Sequence, residues 1–202
     1  MKNRILRPLA VALALSALAA ALLTAFAGGA AAGDKNATLR WDIISLTGGA
    51  PPGPINPGGV ASAQAPDGDT ITLTGSGTFV SPGGEDEDSH AVTGRGTWQT
   101  STGSGTYKVK GLVSFVFANF QSSPPVFIDN IGNLNERANG AAVLRIRYSD
   151  GSQGVLTVGC HGPGAPPGIF EGIAATKGYK TYYNVQPPVN GVNANRTIFH
   201  VS

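Results

Sequence analysis

The 202-residue chain carries 14 Lys and Arg against 12 Asp and Glu, a formal charge of +2, with 29 Gly, 14 Pro and one Cys. Three of the cations, Lys2, Arg4 and Arg7, stand ahead of an apolar run, so the remainder holds eleven cations and twelve anions and is close to neutral. That balance gives no electrostatic reason to expect a nucleic acid or an anionic membrane as partner, so no nucleic acid is expected, and the lone Cys160 excludes an intramolecular disulfide.

The apolar run over residues 8–27 exits through small residues, which with its basic start is the order of a secretory signal peptide. Cleavage after Ala32 is preferred to cleavage after Ala27. Residues 1–32 therefore read as a signal and residues 33–202 as a single exported domain, extracellular or periplasmic, with no stable membrane anchor after cleavage. An uncleaved anchor is the alternative, since a bilayer is spanned by about 20 apolar residues.

The first predicted strand, residues 38–46, alternates Leu39, Trp41 and Ile43 against Arg40, Asp42 and Ile44. Residues 48–59 carry Pro51, Pro52, Pro54 and Pro57, which cannot sit in a central ladder, and read as a long Pro/Gly-rich surface loop. Three strands follow, over 70–80, 91–100 and 105–118. Each carries one pentad of the pattern Gly-x-Gly-Thr-aromatic, at 75–79, 94–98 and 103–107, the last running from the preceding turn into its strand. Period two puts both glycines and the ring of a pentad on one face. A ring from a neighbouring strand can then lie over the bare backbone, and paired glycines suit a strongly curved sheet. The inward set expected of these strands is Ile71, Leu73 and Phe79, then Val92 and Trp98, then Tyr107, Val109, Val113, Phe115 and Phe117.

Residues 119–140 hold nothing of helical length and period, beyond one helical turn at 133–138. The strongest hairpin signal joins 141–148 to 152–160. A two-residue loop would oppose Arg145 to Leu156, whereas a three-residue loop ending in Gly151 opposes Leu144 to Leu156 and Ile146 to Gly154. The second register is predicted, with Ala142, Leu144, Ile146, Leu156, Val158 and Cys160 inward. Strands over 169–176, 179–185 and 196–201 complete the chain.

Residues Leu144 to Ser152 and Gly154 to His161, with 170–173, 176–178 and 193–197, resemble a group of secreted bacterial β-rich proteins of unknown function. That resemblance covers most of the exported part and implies no activity. The glycine-rich meander is similar in style to the small barrels of the allene oxide cyclase and dirigent kind, from which no residue is transferred.

Among candidate sites, Cys160 and His161 are neighbours in a strand and point to opposite faces, so they do not form a dyad; a buried structural thiol is expected. His161 remains a candidate base at a strand exit. Glu171 stands in an apolar strand and Asp129 in another apolar run, so either carboxyl is a candidate acid, with Arg145 or Arg147 as the expected partners of Glu171. The run Glu85 to Asp88 lacks the spacing of a calcium loop and reads as a solvated charge cluster beside His90. The three histidines show no metal-ligand spacing, and no metal or cofactor is expected.

The expected fold is all-β, a single antiparallel barrel of about eight to ten strands, with a β-sandwich as the alternative. The expected function is a non-catalytic module binding a small apolar ligand near Trp98, Tyr107 and Phe115, or interacting through its surface. The alternative is a cofactor-free isomerase or cyclase using Glu171, Asp129 or His161 at a shared cleft.

Overall fold

The computed structural model describes residues 37–46, 53–81, 91–122, 128–184 and 196–202, all within one compact unit. The expected signal, the acidic run with His90, and Pro124, Pro125 and Asn193 to Asn195 lie outside the described residues.

The described residues form twelve strands: β1 (Ala37–Leu46), β2 (Ile55–Pro57), β3 (Ala61–Gln64), β4 (Thr70–Leu73), β5 (Ser76–Ser81), β6 (Arg95–Thr100), β7 (Gly103–Phe120), β8 (Arg137–Tyr148), β9 (Gln153–Cys160), β10 (Gly172–Lys177), β11 (Lys180–Asn184) and β12 (Thr197–Val201). The one helical turn among the described residues is the 3-10 segment Leu134–Glu136, within the expected 133–138. All strands join one antiparallel sheet whose hydrogen bonding closes on itself. One ring runs β1, β5, β6, β7, β8, β12 and back to β1. A second shares β6, β7 and β8 and closes through β9, β10, β11, β3 and β4.

Three differences from the expected elements raise the strand count above ten, the first being β3, which forms over residues where no strand is expected. The predicted strand 70–80 is divided at Thr74 and Gly75, so that β4 pairs with β3 while β5 pairs with β1. The expected loop 48–59 is in part a strand: β2 pairs with the end of β1, Ile44 opposite Pro57, where an edge position tolerates a residue without an N–H. Behind it, Ile44, Ile55 and Ile198 form a small buried cluster on the outer side of β1 and β12. This is why Ile44, on the face of β1 opposite Trp41, is 3% exposed; Asp42 on the same face lies across from Ile198, accepts from Arg40 and is 1% exposed.

The glycine pentads act as predicted. Trp41 is the cross-strand partner of Gly77, Tyr107 of Gly96 and Trp98 of Gly105. A Cβ on Gly77 would lie 2.8 Å from Trp41 Nε1, on Gly96 2.7 Å from Tyr107 Cε1, and on Gly105 2.9 Å from Trp98 Nε1. Each ring fills the space its opposite glycine leaves, so the pattern stores a packing instruction as an absence of side chain.

β7 contains two register shifts that matter to the core, at Val109/Gly111 and Leu112/Ser114. A bulge moves the alternation by one residue, and two restore it. Leu112 is therefore buried and Val113 is 51% exposed, the reverse of expectation, while Phe115 and Phe117 return to the core side as predicted. The β8–β9 hairpin has the predicted register, Leu144 opposite Leu156 and Ile146 opposite Gly154, with Gly151 at φ +89° closing the three-residue loop. All six residues predicted inward on this hairpin are buried. The segment 169–171 is not strand; β10 begins at Gly172.

Candidate functional site

The loop between β9 and β10 returns the chain toward β12, and Glu171 at its end is buried at a seam in the sheet. Thr197, the first residue of β12, donates its backbone N–H to Glu171 Oε1 at 2.8 Å, and His161, just past β9, donates its own to Oε2 at 2.6 Å. Asn184 Nδ2 holds the carbonyls of Glu171 and Ile173 at 2.9 and 3.1 Å. Thr197 Oγ1 donates to Gly159 O at 2.6 Å. One carboxylate thus ties β9 to β12 where the two rings of the sheet part company.

Burial pushes the Glu171 carboxyl up to about 7, against the lowering effect of the Thr197 and His161 amides and of the Arg196 charge. Its contacts here are not Arg145 or Arg147, which lie on the outer face of β8, because the β9–β10 loop carries the carboxyl to the opposite seam. His161 is exposed, and its Nδ1 lies 2.6 Å from Ile169 O. A carbonyl only accepts, so Nδ1 carries the hydrogen of this contact and the ring is held in one orientation. Glu171, His161, Arg196 and Asn184 border an open depression of about 540 Å³. Chemically, it offers a carboxyl able to exchange a proton near neutrality, an oriented imidazole and a guanidinium.

Asp129 is brought to a different place. Its Oδ1 accepts from Ile131 N at 2.9 Å and Gly132 N at 3.1 Å, and its Oδ2 lies 3.0 Å from His200 Nε2. Burial alone would raise this carboxyl, but the His200 hydrogen bond and the two amides outweigh it and hold it below the ordinary range. The pair pins the 128–133 segment to the outer side of β12. Two of the three expected acid–base candidates therefore meet, Glu171 and His161, and the third does not join them.

Trp98, Tyr107 and Phe115, expected at a ligand-receiving mouth, are part of the core. Trp98 stands edge-on to Tyr148 at 5.8 Å with Lys177 Nζ 4.2 Å from its ring centre, Tyr107 donates its hydroxyl to Thr74 O at 2.8 Å, and Phe115 packs on Phe79 at 5.1 Å and Phe199 at 5.4 Å. Cys160 is buried, with Gln121 Nε2 3.4 Å from its sulfur, and burial and the Glu171 charge push its thiol well up. Arg196 and Asn184 are site residues that sequence reasoning did not single out. Nothing in their local sequence marks them, since only the meeting of β11, β12 and the β9–β10 loop brings them to Glu171.

No protein-family description, no curated protein and no solved structure matches this chain. Among the described residues, no helix is long and apolar enough to cross a membrane.

Proposed function

We propose that the mature chain is an exported, non-catalytic β-domain that binds its partner through its outer surface. The observation that supports this reading is the filled interior. Trp98, Tyr107, Tyr148, Phe79, Phe115 and Phe199 pack ring against ring where an enclosed ligand would sit, and the glycines opposite three of the core rings are occupied by those rings. A second reading, a cofactor-free proton-transfer enzyme, is favoured by the shared depression of Glu171 and His161. Against it, both Glu171 oxygens already accept backbone N–H groups, which is the arrangement of a structural tie.

Native mass spectrometry of the protein recovered from its own culture medium separates the two. The surface-binding reading expects the apo mass of residues 33–202. A stoichiometric small molecule that survives desalting would overturn it and favour a ligand-holding or catalytic depression.

A further inference from the structure

The outer face of β6, β7, β8 and β9 concentrates positive charge in a way the nearly neutral chain conceals. Arg95 of β6, Lys108 of β7 and Arg147 of β8 are direct cross-strand partners, so their side chains emerge in one row on one face. Lys110 and Arg145 stand two residues further along β7 and β8, on the same face. Five of the eleven cations after residue 32 lie in this block, and no Asp or Glu occurs anywhere in the four strands. Arg95, Lys108, Lys110 and Arg147 are exposed and have no carboxylate partner among the described residues. Elsewhere Arg40 pairs with Asp42, Lys177 with Asp150, and Lys180 with Asp67 and Asp69.

Like charges directly opposite in a sheet destabilise it, so three in a row are a cost that a folded domain carries for some compensating use. The guanidinium of Arg145 lies over Gly111, where a Cβ would approach its Nε to 3.0 Å. Lys110, Arg145, Arg147, Gln153 and Val155 border an open depression of about 400 Å³ on this face.

The geometry points to a binding site for an acidic polysaccharide, a linear polymer carrying one carboxylate per sugar. Neighbouring strands are about 4.8 Å apart, so the first row spreads three cations over about 10 Å, with the second pair about 7 Å away along the strands. An outer face with cations in rows matches an extended polymer with regularly spaced charges, and Thr97, Thr106 and Gln153 beside the cations supply neutral hydrogen-bonding groups for hydroxyls. A single-stranded nucleic acid fits less well. Its bases need rings to stack on, and the rings of these strands at Trp98, Tyr107 and Tyr148 are turned into the core. The site rests on the surface-binding reading and gives it a ligand class.

Immobilised polygalacturonate is the probe, with neutral dextran as the control and binding read at about 20 mM salt, where screening is weak. The full mature chain is expected to be retained by polygalacturonate and not by dextran. Lys108→Gln with Arg147→Gln is expected to weaken retention at least about tenfold. Lys177→Gln with Lys180→Gln, which removes the same charge elsewhere, is expected to leave retention unchanged; circular dichroism checks that both variants are folded.

No retention of the wild type overturns the proposal, as does equal weakening by both double variants. Tighter binding of a single-stranded oligonucleotide than of polygalacturonate would reassign the face to nucleic acid. Retention that appears only after Glu85→Gln, Asp86→Asn, Glu87→Gln and Asp88→Asn would assign it to the chain's own acidic run. None of these results changes the native mass, so failure of this site and failure of the surface-binding reading remain separate outcomes.

Discussion

Glu171, one of the candidate acids, shows how a single buried carboxyl sets pH behaviour. Its carboxyl sits at about 7 against an ordinary 4.5. The folded chain therefore holds a proton over a range in which the unfolded chain has released it. The contribution of this group to stability is fully present below pH 4.5 and is lost as the pH rises through 7. The loss is on the order of 3 kcal/mol across that window. Glu171→Gln removes the titration, so urea unfolding at pH 5 and 7.5 should show a larger fall for the wild type than for the variant; equal falls would refute the assignment. Asp129 works in the other direction, because its lowered carboxyl stabilises above the ordinary carboxylate range and loses that contribution in acid. The two effects occupy separate pH ranges and can be read apart.

At the scale of the element, the pentads carry their information in side chains that are missing. A Cβ on Gly96 would press into the Thr74 carbonyl and the Tyr107 ring, and both are fixed by the hydrogen bond between them. Gly103, in the same motif, leaves 3.5 Å to the nearest atom, on the Trp98 ring. Gly96→Ala is therefore expected to lower unfolding stability by about 2 kcal/mol or more, whereas Gly103→Ala should stay within about 0.5 kcal/mol. Thermal or urea unfolding of the two variants checks this, and equal effects would mean that the rings do not define the packing. The hairpin register was legible for a related reason: sliding it by one residue would have turned Arg145 inward opposite Leu156. The first two register shifts of β7 were not legible, because residues 109–115 alternate acceptably without them. Gly111, under the Arg145 guanidinium, is the one local mark of the first.

For the whole molecule, closure of the sheet makes the core one cooperative body. β1 and β12, from opposite ends of the described chain, are hydrogen-bonded neighbours, and β12 also pairs with β8. Cys160 reports on this body, because it lies at the end of β9 beside the Glu171 tie and is 2% exposed. Reaction with a thiol reagent is expected to be slow under native conditions and to accelerate with urea in step with loss of tertiary circular dichroism. Fast native labelling would show that the seam opens by itself. An exposed cationic face on a nearly neutral chain is likewise a property of the whole, since only strand pairing sets Arg95, Lys108 and Arg147 side by side.

The sequence by itself determined the all-β class, the pentad packing, the hairpin register and the burial of Cys160. Each follows from period-two alternation and turn chemistry acting over a few residues. Tertiary structure alone decided the partners of Glu171, the separation of Asp129 from His161, the covering of Ile44 by β2, and the cation row. Those depend on which strands become neighbours when the sheet closes, and contacts between residues far apart in the chain leave no periodic mark in it.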